Sequence, residues 1–413
     1  MKLFFVFLLG VTSLYSLTLD EAIERAIANS PVMHKAKSNV NYAKTGVLEA
    51  EASFYPTLDA GFNWQDSDET TAFSFSPSHY YNLSTKYNLF NGFSDKANID
   101  SKEFQTQAQK LLLKAKKSDI KLEVVGAYTA CLKAKKSMQT QEEELNSLER
   151  SYNDTKVRYE QGSIAKNELL LIDVQRLRSV QSLHVAKSNL KKSRYLLWRI
   201  LGGSLEKDEP IEEIKITISV LENFDHLLKK TYEKRAELHA LYKQRDSLHS
   251  EQAVVTGAFY PNANISADYI INDKERYSGV IMVQVKDQIQ AKINVTWNLY
   301  NGRSDEAKRR GVIEKINMLD TDIAAMKFDL EYQLHNAFET YYVAKSQIDV
   351  SKKTLESALE NYRITNDRYE YGQIDTLNLL ITQANLTAAQ NDHNSAGYDL
   401  FVALATIKRI SGE

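Results

Sequence analysis

Gln288-Ile-Gln-Ala-Lys-Ile-Asn-Val-Thr-Trp-Asn298 alternates apolar and polar residues without a break. In a strand, Ile289, Ala291, Ile293, Val295 and Trp297 take one face. Gln288, Gln290, Lys292, Asn294, Thr296 and Asn298 take the other. The chain around this run reads as long helix, so the oily face needs an apolar partner other than a soluble core of its own. A β-barrel, with lipid outside and water inside, satisfies both faces.

Three further runs repeat the pattern. Thr57 to Gln65 sets Leu58, Ala60, Phe62 and Trp64 against Asp59, Gly61, Asn63 and Gln65. Tyr81 to Leu89 sets Tyr81, Leu83, Thr85, Tyr87 and Leu89 against Asn82, Ser84, Lys86 and Asn88. Asn262 to Ile271 sets Ala263, Ile265, Ala267, Tyr269 and Ile271 against Asn262, Asn264, Ser266 and Asp268. Each is near the ~9–11 residues that a tilted strand needs to cross a bilayer. Tyr and Trp recur near the ends, where an interfacial girdle belongs.

The runs sit inside a duplication. Asn88-Leu-Phe-Asn-Gly-Phe-Ser-Asp95 matches Asn298-Leu-Tyr-Asn-Gly-Arg-Ser-Asp305, and Arg158-Tyr-Glu-Gln-Gly162 matches Arg368-Tyr-Glu-Tyr-Gly372. Phe54-Tyr-Pro56 matches Phe259-Tyr-Pro261 in the same order. Each half reads helix, strand, strand, long helix, tight turn, helix. A helix opens with the capping box Thr18-Leu-Asp-Glu21 and runs toward Ser53. Pro56 and Pro261 hold the residues before them extended, which converts helix to strand. Asn91-Gly92 and Asn301-Gly302 allow sharp turns, after which Ser94 and Ser304 are placed to cap the next helices. Ser94 to about Glu160 then reads as one helix of roughly 100 Å.

The following helix carries a heptad. Leu169, Leu183, Leu190 and Leu197 share one position, and Ile172, Ser179, Ala186 and Ser193 share the other. In the second half the frame reads Leu377, Ala384, Asn391, Tyr398 and Ala405, with Leu380 and Phe401 beside it.

The expected domains are a signal peptide at 1–16, a first repeat at 17–201 with strands at about 57–66 and 80–90, and a connector at 202–227. A second repeat follows at 228–413, with strands at about 262–271 and 287–299. Lys2, the apolar run Leu3 to Leu9 and small residues up to Ser16 carry the signal-peptide reading. No segment has the ~20 consecutive apolar residues of a transmembrane helix. The single cysteine, Cys131, lies in helical pattern and reads as a packed small hydrophobe. A net charge of −2 and the lack of a basic block speak against a nucleic-acid partner. The eight histidines are scattered, and there is no phosphate loop or nucleophile elbow, so no enzyme, cofactor or metal site is expected.

Four strands cannot close a barrel, so at least two chains must contribute, and three would give twelve strands. The duplicated order of Tyr-Pro, paired strands, Asn-Leu-aromatic-Asn-Gly and Arg-Tyr-Glu-x-Gly resembles the TolC-like outer-membrane efflux proteins, over essentially the whole chain from Leu17 to about Gly412. The resemblance implies a mainly α protein with membrane β structure. It implies a homotrimer with a shared twelve-stranded transmembrane β-barrel and a long antiparallel coiled-coil helical barrel. It implies a passive exit duct in the outer membrane, most of the chain lying in the periplasm, serving tripartite efflux or type I secretion. A periplasmic adaptor (membrane fusion) protein would join it to an inner-membrane transporter.

By the same resemblance, Arg158, Tyr159, Glu160 and Gly162, with Arg368, Tyr369, Glu370 and Gly372, form the tips that meet the adaptor. Both glycines also suit ordinary left-handed helix caps. Glu168 matches a family position for acidic residues at the tunnel's narrowest point, whereas its counterpart Asn378 carries no charge. Asp375 is nearby and reads equally as the N-cap of the last helix. Tyr369 matches a tyrosine that latches neighbouring helices in the closed state. Lys86, Asp268 and Lys292 are expected to line the barrel lumen. The competing class is a soluble periplasmic coiled-coil adaptor or scaffold. Such an adaptor clusters its strands in one half, whereas this chain spreads them in two pairs.

Overall fold

The computed structural model describes residues 16–66, 68, 78–216, 221–276 and 285–412. The expected signal peptide, except Ser16, and most of the two loops between paired strands lie outside the described residues. The first repeat contains α1 (Leu19–Asn29), α2 (Pro31–Glu51), β1 (Thr57–Gln65), β2 (Ser78–Asn91), α3 (Ser94–Glu160) and α4 (Lys166–Ile200). The second contains α5 (Phe224–Lys234), α6 (Ala236–Thr256), β3 (Asn262–Arg276), β4 (Val285–Thr296), α7 (Ser304–Glu370) and α8 (Thr376–Ile410). Up to the first strand of each half the repeats are offset by 205 residues, as from Pro31 to Ala236 and Thr57 to Asn262. From the long helices onward the offset is 210, as from Ser94 to Ser304 and Lys166 to Thr376. Among the described residues no helix is long and apolar enough to cross a membrane.

Contacts divide the chain into two units. The first comprises the described residues of Met1–Ala36, Leu113–Ala236 and Lys327–Glu413. One core in it gathers Ala22 and Ala26 of α1, Ile120, Val124 and Tyr128 of α3, Leu197 and Ile200 of α4, and Tyr398 of α8. Leu17 joins this core through a parallel bridge to Ile211, with Leu17 N donating to Pro210 O and Glu212 N to Leu17 O. Tyr128 Oη locks the bridge, 2.7 Å from Leu17 O and 2.8 Å from Glu212 O. Cys131 is buried in the same core. A second core packs Leu227 of α5, Leu334, Phe338 and Tyr341 of α7, and Leu400, Leu404 and Ile407 of α8. A third and smaller one holds Leu148, Ile172 and Leu380.

The second unit comprises Lys37–Leu112 and Glu237–Met326. Its strands form one antiparallel sheet in the order β1-β2-β3-β4. The register joins apolar to apolar: Phe62 faces Tyr81, which faces Ile271, and Ala60, Leu83, Tyr269 and Ile289 form the next row. Ile289 is 78% exposed and Leu58 71% exposed. A sheet face of this kind is matched by hydrocarbon rather than by water. Helices α3, α6 and α7 also meet in this unit, through a buried Ser101–Ser247 hydrogen bond of 2.9 Å and ion pairs from Arg245 to Asp320 and Lys315 to Glu251.

Several local expectations change. The first helix breaks at Ser30, which is extended (ψ 128°) because Pro31 forbids helical geometry before it. Thr18 Oγ1 does accept from Glu21 N, but the Glu21 carboxylate pairs with Arg25 at 2.6 Å instead of reaching back. Ser94 Oγ donates to Val254 O of α6 rather than capping α3. The clamp at that joint is the aspartate. Asn88 and Asn91 Nδ2 both donate to the Asp95 carboxylate, and Asn298 and Asn301 repeat this on Asp305. Gly92-Phe93 and Gly302-Arg303 all have positive φ, between 56° and 67°. The aspartate clamp holds the two non-glycine residues in that costly region.

The alternation of β2 fails at Leu89, where the register with β3 shifts by a bulge between Asn88 and Phe90. In α8 the buried heptad is Leu379, Leu386, Leu400 and Ile407, two residues on from the expected frame, and Leu377 is exposed.

Candidate functional site

The two helical turns are built alike in the backbone. At the first, Ser163 N donates to Arg158 O and Gly162 N to Tyr159 O. At the second, Gln373 N donates to Arg368 O and Gly372 N to Tyr369 O. Both are Schellman caps closed by glycines at φ 74° and 72°. Within the chain, a Cβ added at either glycine meets nothing within 4 Å.

Their side chains differ. Arg158 reaches from the end of α3 to the end of α7, donating to Tyr369 O at 2.8 Å and Glu370 O at 2.7 Å. Its guanidinium also lies 5.0 Å from the Tyr369 ring centroid. Tyr369 is buried, and its hydroxyl lies 2.6 Å from Thr155 Oγ1. Thr155 Oγ1 itself donates to Ser151 O, so the tyrosine is the donor of this pair. Thr376, the first residue of α8, lies 3.5 Å from the same hydroxyl and donates to Glu168 Oε2 at 2.9 Å. Arg158, Thr155, Tyr369, Thr376 and Glu168 thus tie the ends of α3, α7, α8 and α4 together.

The first-repeat counterpart of Tyr369 is Tyr159, which is exposed, and Glu160, Arg368 and Glu370 are exposed as well. Asn366 Nδ2 donates to the Glu370 carboxylate. Asp375 is the N-cap of α8: its Oδ1 accepts from Asn378 N at 3.0 Å and from Asn378 Nδ2 at 2.7 Å. Its counterpart Ala165 caps α4 with no side-chain bond. Sequence reasoning missed Thr155 and Thr376. The available signal is that Thr155 falls one heptad after Leu148, which is also buried.

The polar face of the sheet is ordered in transverse rows. Lys86 faces Ser266, which faces Lys292, and Thr57 begins that row on β1. Asp59, Ser84, Asp268 and Gln290 form the row beside it. The rows lie about 6.6 Å apart, two residues along each strand. Lys86, Asp268 and Lys292 therefore share one face, and Asp59 joins Asp268 on it.

The profile of the outer membrane efflux protein family matches residues 22–203 and 227–413. The chain is similar to the outer membrane efflux protein BepC of Brucella suis, with 18% identity over 96% of this chain and 85% of BepC. Among solved structures it is similar to the CmeC outer membrane channel of Campylobacter jejuni, with TM-score 0.80 and 14% identity over 95% of this chain and 85% of CmeC. It is also similar to the open state of the MtrE outer membrane channel of Neisseria gonorrhoeae, with TM-score 0.79 and 15% identity over 95% of this chain and 88% of MtrE. The profile spans most of the chain, the fold agrees, and the sheet's exposed apolar face matches lipid. The chain is an outer-membrane channel protein with a large periplasmic part rather than a soluble adaptor, and it belongs to the outer membrane efflux protein family.

Proposed function

We propose that three copies of this chain form one channel, a passive exit duct of a tripartite efflux or type I secretion system. After loss of a signal peptide at 1–16, the chain is read as a repeat at 17–201, a connector at 202–227 and a repeat at 228–413. The observation that carries this reading is the four-stranded sheet with one lipid-compatible face and one charged face. Its two free edges have to be closed by other copies. Lys86, Asp268 and Lys292 line the lumen. The tips at Gly162 and Gly372, with Arg158, Tyr159, Glu160, Arg368, Tyr369 and Glu370, receive a periplasmic adaptor that links the duct to an inner-membrane transporter.

Glu168, Tyr369, Asp375 and Asn378 form the periplasmic gate. Asp375 caps α8 through Asn378, and Glu168 accepts from Thr376; Glu168, at the position that the resemblance assigns to the constriction, is the carboxylate expected to set ion preference. The test is planar-bilayer conductance of the detergent-purified protein, with its mass measured in the same preparation. A trimer with small discrete steps, whose cation preference falls in Glu168→Gln, supports both the channel and the gate. An unchanged preference removes Glu168 from the gate, and a non-conducting monomer removes the duct.

A further inference from the structure

The repeats make one seam inside the chain, where β2 of the first pairs with β3 of the second. The duplication implies a second seam, from β4 of one copy to β1 of the next, and the single chain shows what that seam lacks. β2 continues to Asn91 because Asn262 and Asn264 pair with its end. The equivalent residues Trp297 to Asn301 belong to no strand, and Leu299 and Tyr300 are 80% and 77% exposed. Gly92 is pressed on the Gly257 carbonyl so closely that a Cβ has no room, whereas Gly302 has nothing within 4 Å. Phe93 meets Tyr260 edge-on at 6.0 Å. Their counterparts Arg303 and Tyr55 are both exposed, Tyr55 at 68%.

The helices beside the sheet carry the same signature. Ser101 of α3 and Ser247 of α6 meet as two small residues in a buried hydrogen bond. Offsets of 210 and 205 map them onto Gly311 of α7 and Tyr42 of α2. Tyr42 is 82% exposed, and Gly311 has nothing within 4 Å of an added Cβ. Where the first seam has a pair of small residues, the second has a large exposed residue on one side and a glycine with open space beside it on the other.

We propose that the interface between copies reproduces the β2–β3 register residue for residue. This rests on the barrel-closing oligomer proposed above and specifies how its copies join. Thr85 faces Ala267 within the chain, so Val295 faces the neighbouring copy's Phe62. Asn88 faces Asn264, so Asn298 faces the neighbour's Asp59, followed by a bulge at Leu299 and Asn301 opposite Thr57. From Lys292 opposite Gln65 to Asn301 opposite Thr57, apolar residues meet apolar ones and polar meet polar; beyond the end of β1 the match stops, where Ala291 would face Asp66. Tyr42 of the neighbour fills the Gly311 notch, and Arg303 stacks on the neighbour's Tyr55. One position departs from strict equivalence: Ala52 stands where Gly257 leaves room for Ser94, so the Ser304 hydroxyl turns away and the backbones part slightly at that point.

Cysteine pairs in the full-length protein, purified from the membrane and oxidised to direct disulfides, test the register. Val295→Cys with Phe62→Cys is expected to give covalent oligomers. Val295→Cys with Ala60→Cys or Trp64→Cys is one same-face step off register, and is expected to give at least about ten-fold less, because the step opens the Cβ separation to ~7–8 Å. Stronger linking at a shifted pair overturns the register while leaving the oligomer intact. Monomeric mass with no linking at any pair overturns the closed barrel itself. The notch has its own arm. Gly311→Tyr is expected to weaken the oligomer in mild detergent and Tyr42→Ala in the same chain to restore it. A Gly311→Tyr oligomer as robust as the parent overturns the notch.

Discussion

Arg158→Ala removes the two charge-assisted hydrogen bonds that join the end of α3 to the last carbonyls of α7. Hydrogen bonds from a charged group contribute about 1.5–3 kcal/mol each when sheltered. The bond to Tyr369 O is half-buried and the bond to Glu370 O is exposed, so the pair together holds about 2 kcal/mol, most of it in the first. The cation–π contact with Tyr369 lies within that figure rather than beside it, because the same guanidinium makes both. If these bonds exist in the closed state and break on opening, their loss shifts the latch equilibrium of each copy by about 30-fold toward open. The assay is open probability and mean conductance in planar bilayers at fixed salt, with circular dichroism confirming that the helices are retained. Arg158→Lys keeps the charge but loses the two-pronged geometry, and is expected to fall between parent and alanine variant. A folded Arg158→Ala trimer whose open probability equals that of the parent refutes the assignment of these bonds to the closed state.

Other expectations concern stability and pH. Tyr128→Phe deletes the hydroxyl that fastens Leu17 and Glu212 to α3, and is expected to lower unfolding stability by about 1–2 kcal/mol in a denaturant titration. Glu144 is buried in α3, and that burial pushes its carboxyl above the usual glutamate range. The folded state then holds the proton more tightly than the unfolded chain. Stability therefore falls as pH rises from about 4 through the raised value. Glu144→Gln is expected to flatten that slope and to stabilise the protein at neutral pH, read as melting temperature against pH.

What the sequence made legible was whatever repeats or alternates. Strand faces followed from period two, since neighbouring side chains must point opposite ways, and the register then joined the four predicted apolar faces into one. The Asn-Gly turns were legible because positive φ there favours those residue types. The break at Ser30 was signalled by Pro31, but the same break recurs at Arg235 with no proline, so tertiary packing dictates it there. The α8 frame is only partly legible because that helix is apolar on more than one side: Leu380 and Tyr398 of the expected frame are buried, but Leu377 is exposed and Leu379 is buried in its place. Thr155 and Thr376 escaped notice because a buried threonine has no pattern of its own until the hydroxyl it binds is placed beside it. Ser94 was read as a local cap, yet its partner lies 160 residues away, and proximity in sequence carries no information about such a bond.

The two charged rows on the sheet have an electrostatic consequence. Each chain contributes two ammonium groups, from Lys86 and Lys292, and in the adjoining row two carboxylates, from Asp59 and Asp268. These two belts carry equal and opposite charge about 6.6 Å apart, less than one Debye length at physiological salt. On the lumen face proposed above, their far fields would cancel, and what reached the middle of the pore would be a dipole layer rather than a net potential. Cations and anions crossing that layer would each gain at one belt what they lose at the next. Paired belts in that position would keep the wall wet and charged without sorting what passes.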